Sequence, residues 1–238
     1  MKRRLALVLT AGLALACATP LARELAYLAP DQVPRAALRA GELAQASPVV
    51  LCALELADAL ARRGIGYHHD QARHVLRLET LASGPLPPEL SCSEFVWFVY
   101  SRCGLDLGEV HRNTRELSYA ERNYPRGMQR VQDGSIRAGD LLVYDFDLAE
   151  LERRAALVEG EKAGHVVLVV SARERILVGS HGLASTPAGA AQGVGYRRLQ
   201  GDFSRWTAGR ALRAIYRPKA GPAPSAPSER SVGRNAPP

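Results

Sequence analysis

The order of the periodic segments is the feature that most limits what this chain can fold into. Apolar residues recur at helical spacing over residues 49–63 and again over 92–103, and a short helix is expected around 114–122. Alternating or continuous apolar runs typical of strands come later, at 141–144, 165–170, 176–180 and 213–216. Helices followed by consecutive strands predict an α+β domain, in which the N-terminal helices pack on a small antiparallel β-sheet.

The second helical run carries a clear start signal. Ser91 is a good N-cap residue, and Glu94 three positions later completes a capping box, so Cys92 is expected to be the first helical residue. Gly104 is expected to end this helix. The partial positive charge of a helix N-terminus favours ionisation of a thiol, and a thiolate is a strong nucleophile. Cys92 is therefore a candidate nucleophile, although a buried core thiol is the alternative.

Two later histidines could complete a thiol-based site. His165 opens a strand, where it could accept the proton of Cys92, and His181 could orient the imidazole of His165. Ser180 is an alternative for that orienting role. Successive strand residues point to opposite faces, so at most one of Ser180 and His181 should reach His165. Backbone N–H groups at the start of the Cys92 helix could hold an oxyanion.

The N-terminus predicts export. Residues 1–4 are basic, residues 5–16 are apolar and too few to span a bilayer, and Cys17 follows at once. Residues 1–17 are interpreted as a signal peptide that ends either in a lipobox with Cys17 acylated or in a plain cleavage site. The protein is then periplasmic or an outer-membrane-anchored lipoprotein. Residues 18–47 are interpreted as a tether, 48–217 as the folded domain, and 218–238 as a disordered tail rich in Pro, Ala and Ser.

The remaining cysteines and the charge leave alternatives open. An oxidising compartment would permit a Cys52–Cys103 disulfide, but two buried free thiols are favoured because sequence gives no distance between them. The net charge of +7 comes almost entirely from scattered arginines, which favours a bias in composition over binding to an anionic partner such as DNA, phospholipid or a cell-wall polymer. No metal or cofactor is expected. Four histidines lack metal-ligand spacing and are predicted to lie on the surface or in loops: His68, His69, His74 and His111.

Three motifs together resemble the NlpC-type cysteine peptidases, a papain-like family of bacterial cell-wall hydrolases. Residues 91–105, Ser-Cys-Ser-Glu-Phe-Val and onward, resemble the nucleophile helix of that family. Residues 137–144 and 164–170 resemble its two central strands, the second of which carries the general base. Tyr67 falls where the family often has a tyrosine in the wall of the active site. The resemblance covers about residues 50–217.

The resemblance implies a papain-like NlpC-type fold and a cysteine hydrolase that cleaves amide bonds in peptidoglycan stem peptides. It assigns Cys92, His165 and His181 to catalysis, and Tyr67, Ser91 and Ser93 to substrate binding. The family usually has Asp directly before the cysteine, where this chain has Ser91, and Gly where it has Glu94. The segment 145–163 is longer than usual and is interpreted as a lid.

Two other functions remain open at this stage. An amidase, thioesterase or acyltransferase could use the same residues, and a non-catalytic envelope protein could use the fold for binding. The expected partners are stem peptides, together with a membrane if Cys17 is lipidated, and no nucleic acid.

Overall fold

A computed structural model describes residues 25–33, 46–68, 85–108, 113–119, 125–146, 164–182, 192–207 and 210–219. Within these residues the protein is α+β. Three helices accompany a curled, half-barrel antiparallel sheet of eight strands. This confirms the predicted α+β class with an antiparallel sheet. Cys17, His69, His74, His111, residues 147–163 of the predicted lid and most of the predicted tail lie outside the described residues.

Residues that favour helix ends lie at the boundaries of the α-helices. Helix α1 spans Pro48–Arg63, with Ser47 as its N-cap and Gly64 in the left-handed region at φ 69° after its last turn. Helix α2 spans Cys92–Arg102, and helix α3 spans Thr114–Tyr119. No helix in the described ranges is long and apolar enough to cross a bilayer.

The sheet contains more strands than the sequence predicts. The strands are β1 (Leu25–Leu28), β2 (Met128–Arg130), β3 (Leu141–Phe146), β4 (His165–Ser171), β5 (Ile176–His181), β6 (Gly193–Leu199), β7 (Arg205–Thr207) and β8 (Arg210–Pro218). Their order is β1-β6-β5-β4-β3-β8-β2, with β7 paired to β8. Strands β4 and β5 are consecutive and pair antiparallel as a hairpin.

The predicted tether over 18–47 is wrong for residues 25–28. These residues pair with β6 as the edge strand of the sheet, and Leu25 is buried. Strand β8 continues to Pro218, one residue beyond the predicted end of the domain. Asp145 and Phe146, expected to open the lid, belong to β3 instead.

Two apolar clusters lie on the two faces of the sheet. The first cluster joins α1 and α2 to one face and includes Cys92, Phe95, Val166, Leu168 and Val178. The second cluster fills the other face and includes Tyr144, Val167, Val169, Leu177 and Trp206. Because neighbouring strand residues alternate between the faces, the central strands β3, β4 and β5 each contribute to both clusters.

Cys52 and Cys103 form a disulfide, so the favoured prediction of two buried free thiols is wrong. The bridge links α1 to the residue that follows α2, with a Cα–Cα distance of 5.7 Å. Cys52 is exposed and Cys103 is half-buried. Sequence could not give this outcome because it depends on how two helices, distant along the chain, pack together.

Candidate functional site

The start of α2 presents Cys92 as predicted. The hydroxyl of Ser91 accepts a hydrogen bond from the backbone N–H of Glu94 at 3.3 Å, and the Glu94 carboxylate accepts one from the N–H of Ser91 at 2.8 Å. The capping box is therefore present, and Cys92 is the first helical residue. The first N–H groups of a helix have no acceptor within the helix, so they are available beside the sulfur.

The thiol of Cys92 contacts a residue that the sequence analysis did not identify. Its Sγ lies 3.4 Å from Oγ1 of Thr114, the first residue of α3, and both side chains are buried. Thr114 also packs against the start of β4: a Cβ built on Gly164 would lie 2.9 Å from Cγ2 of Thr114. The side chain of Thr114 therefore lies between the Cys92 thiol and Gly164, the residue that precedes His165.

His165 and His181 form a hydrogen-bonded pair. Nε2 of His165 lies 3.0 Å from Nδ1 of His181, and Nε2 of His181 lies 3.0 Å from the carbonyl oxygen of Gly195. We call these two imidazoles and the Gly195 carbonyl the histidine relay. Ser180 points to the other face, where its hydroxyl donates to the carbonyl of Leu90 at 2.6 Å. Of the two residues considered at this position, His181 is therefore the one that contacts His165.

The indole of Trp206 covers the histidine relay. Its ring is stacked on His181, with 5.7 Å between centroids and 7° between planes, and its centroid lies 4.8 Å from that of His165. Trp206 is fully buried. The indole therefore excludes water from the hydrogen bond between the imidazoles, and such a bond is stronger in a dry environment.

Burial sets the protonation state of the relay. It lowers the pKa of both imidazoles well below 6.5, and the charges of Arg210 and Arg197 lower the pKa of His165 further. For His181 the charge of Arg197 acts in the same direction, while the bond to the Gly195 carbonyl opposes it. Both rings are therefore neutral at neutral pH.

Neutral rings leave only one arrangement of protons along the relay. A carbonyl oxygen only accepts, so Nε2 of His181 carries its proton and Nδ1 of His181 has the lone pair. Nε2 of His165 must then be the donor between the two rings. The free lone pair of His165 is therefore at Nδ1, which makes no hydrogen bond to any described residue.

The structure does not join the thiol to the imidazole. Within the described ranges Cys92 and His165 make no hydrogen bond. Cys92 belongs to the cluster on the helix face, whereas the ring of His165 lies with Trp206 on the opposite face. The two residues share the same end of the sheet through Thr114 and Gly164.

Tyr67 lies at this same end. A Cβ built on Gly182, directly after His181, would lie 2.6 Å from Cε1 of Tyr67. Burial raises the pKa of the Tyr67 hydroxyl, the negative potential of Cys92 raises it further, and Arg210 opposes both effects. The phenol therefore stays protonated and is able to donate a hydrogen bond.

Ser91 and Ser93 are both buried, and the hydroxyl of Ser91 serves as the N-cap of α2. Their predicted contact with substrate stays a prediction. His68 lies outside the helices and strands, as expected for a loop residue, but it is buried, and its Nε2 lies 2.5 Å from Oε2 of Glu94. No local signal marks this contact, because the two residues are far apart along the chain.

Within the described part of the chain, no three His, Cys, Asp or Glu side chains are grouped as they would be around a metal ion. No protein-family model, curated protein or solved structure matches this chain.

Proposed function

We propose that the protein is an exported cysteine hydrolase that cleaves amide bonds in peptidoglycan stem peptides. Cys92 is the nucleophile, His165 the general base and His181 the residue that orients His165. The observation that carries this proposal is the histidine relay, which fixes the basic lone pair of His165 at Nδ1. A purely structural histidine pair has no need of one nitrogen that makes no hydrogen bond to any residue the structure describes.

The reaction uses these groups in order. Nδ1 of His165 takes the proton of the Cys92 thiol, and the sulfur attacks the carbonyl carbon of the substrate amide. The N–H groups at the start of α2 stabilise the oxyanion. The C–N bond then breaks as His165 returns the proton to the leaving amine. Water, deprotonated by His165, hydrolyses the resulting thioester and releases the acid and the thiol.

This sequence of steps requires the thiol and the imidazole to meet. We propose that substrate binding brings the imidazole of His165 and Sγ of Cys92 together at the strand end beside Gly164, while Thr114 still holds the sulfur. Catalytic hydrogen bonds in ligand-free enzymes are commonly long and tighten when substrate binds. The separation of Cys92 from His165 therefore describes the resting state of the site.

The substrate class rests on the sequence resemblance together with the predicted export. Stem peptides carry amide bonds, including those between D-glutamate and a diamino acid, and they are anionic. The net charge of +7 suits an anionic polymer. Lipidation of Cys17 would hold the domain at the membrane beside the wall.

One observation favours a second function. Because no hydrogen bond joins Cys92 to His165 among the described residues, the domain could bind stem peptides without cleaving them. An amidase or thioesterase would use the same groups on a different acyl donor, and an acyltransferase would pass the acyl group from Cys92 to an acceptor other than water.

The test incubates purified murein sacculi with the protein and with its Cys92→Ala variant, and identifies the soluble fragments by mass. We expect fragments from the parent protein and none from the variant, with or without a chelator. Binding of both proteins to sacculi with no fragments from either would support the binding module and refute the hydrolase. Short acyl thioesters and esters, offered in parallel, would reveal the alternative acyl chemistry.

A further inference from the structure

Thr114 is held rigidly beside the sulfur of Cys92. The backbone N–H of Glu116 donates to the Asn113 side chain at 3.0 Å, and the Glu116 carboxylate accepts from the N–H of Asn113 at 2.9 Å. This is a second capping box, and it fixes Thr114 as the first residue of α3. Cys92 has the same place in α2, so both side chains project from well-defined helix starts.

Other contacts prevent Thr114 from moving away. The hydroxyl of Tyr216, a buried residue of β8, donates to the carbonyl of Leu117 at 2.8 Å and ties α3 to the sheet. The hydroxyl of Ser118 donates to the carbonyl of Thr114 at 2.9 Å. The methyl group of Thr114 is packed against Gly164. With the methyl group fixed there, the hydroxyl is directed at the sulfur.

We infer that Thr114 is a positioning residue for the nucleophile, whose hydroxyl donates a hydrogen bond to the Cys92 thiolate and holds the sulfur at the end of the sheet. The inference rests on the proposed role of Cys92 and adds a residue that the resemblance does not assign. Within the described ranges, Thr114 is the hydrogen-bond partner of the sulfur.

The physical reason is an asymmetry between the two states of the sulfur. A neutral thiol is a weak donor and a weak acceptor, so its bond to a hydroxyl contributes little. A thiolate can only accept, and hydrogen bonds to a charged acceptor are about twice as strong as neutral ones. The hydroxyl therefore favours the ionised sulfur, and it adds to the effect of the α2 N-terminus.

The experiment measures the rate of Cys92 alkylation by iodoacetamide as a function of pH. The parent protein is compared with Thr114→Val, Thr114→Ser and Ser118→Ala. Valine keeps the methyl group that packs on Gly164 and removes only the hydroxyl. Serine keeps the hydroxyl. Ser118→Ala removes a hydroxyl from the same helix that does not contact the sulfur, and so it controls for loosening of α3.

For Thr114→Val we expect the midpoint of the labelling profile to rise by about one pH unit, which gives about tenfold slower labelling on its acid side. Thr114→Ser should label within about twofold of the parent, and Ser118→Ala should follow the parent profile. A Thr114→Val profile that overlays that of the parent overturns the inference, as does an equal shift in Ser118→Ala. If Thr114→Val does not fold, Thr114→Ala takes its place, with Thr114→Ser as its rescue.

The outcome for Thr114 is separate from the outcome for the hydrolase. Alkylation needs no substrate, so a shifted profile without release of murein fragments supports Thr114 and refutes the hydrolase. Release of fragments with an unshifted profile supports the hydrolase and refutes the role of Thr114.

Discussion

Replacement of both Cys52 and Cys103 by alanine should lower the free energy of unfolding by about 4 kcal/mol. The two residues are 51 positions apart. Closing a loop of that length reduces the entropy of the unfolded chain by about 14 cal/mol/K, or about 4 kcal/mol at 25 °C. Cys52 is exposed and Cys103 half-buried, so the replacement leaves little internal cavity to add to this cost. Single domains are typically stable by about 5–15 kcal/mol, so the loss is a large part of the total.

Urea unfolding followed by tryptophan fluorescence measures this difference, because both Trp97 and Trp206 are buried. A reductant provides the matched control: it should bring the parent protein to the stability of the double alanine variant and leave the variant unchanged. A loss below about 1 kcal/mol, or a parent protein insensitive to complete reduction, would refute the argument from loop closure.

Three further outcomes are expected. Burial holds the folded pKa values of His165 and His181 below 6.5, so the folded state binds fewer protons than the unfolded state. The contribution of the neutral imidazoles to the free energy of unfolding should therefore be fully present above pH 6.5. Below that pH it should fall by up to about 1.4 kcal/mol per pH unit for each imidazole. A free energy of unfolding in urea that stays constant between pH 7 and pH 5 would contradict this. For the proposed hydrolase, His181→Leu removes the acceptor of His165 and should lower kcat on stem peptides by about 10²–10⁴-fold with KM little changed. His181→Asn keeps an acceptor and should lose less. Gly164→Ala places a Cβ 2.7 Å from the Tyr144 carbonyl oxygen and 2.9 Å from Thr114. It should therefore destabilise the fold by about 1–3 kcal/mol and slow the alkylation of Cys92. A melting temperature and a labelling rate equal to those of the parent protein would show that the strand end can relax.

The elements that sequence reasoning placed correctly are those specified by local signals. Ser91 and Glu94 defined the start of α2 within four residues of chain, and helical spacing over residues 49–63 predicted α1, which spans Pro48–Arg63. The alternation of β5 separated Ser180 from His181, and the structure places them on opposite faces. In each case the physical cause lies within one turn of helix or a few residues of strand.

The elements that were missed depend on partners far away in the chain. Strand β6 contains two glycines and two arginines, which are poor strand signals, and it is held by pairing with β5 on one side and β1 on the other. Leu25–Leu28 is short and forms a strand only because β6 offers a free edge. Thr114 and Trp206 were missed for the same reason, because the folding of distant segments brings Thr114 to Cys92 and Trp206 to the imidazoles. The residues next to them in the sequence contain no motif that indicates these contacts.

The last acceptor of the histidine relay is a main-chain atom, so replacing side chains one by one would overlook it. Gly195 presents its carbonyl to His181 because β5 and β6 are aligned with Gly179 opposite Gly195. A slip of one position between these strands would turn His181 to the other face and away from that oxygen. Insertions and deletions near this pairing should therefore impair the base as severely as loss of an imidazole, even where the fold tolerates them.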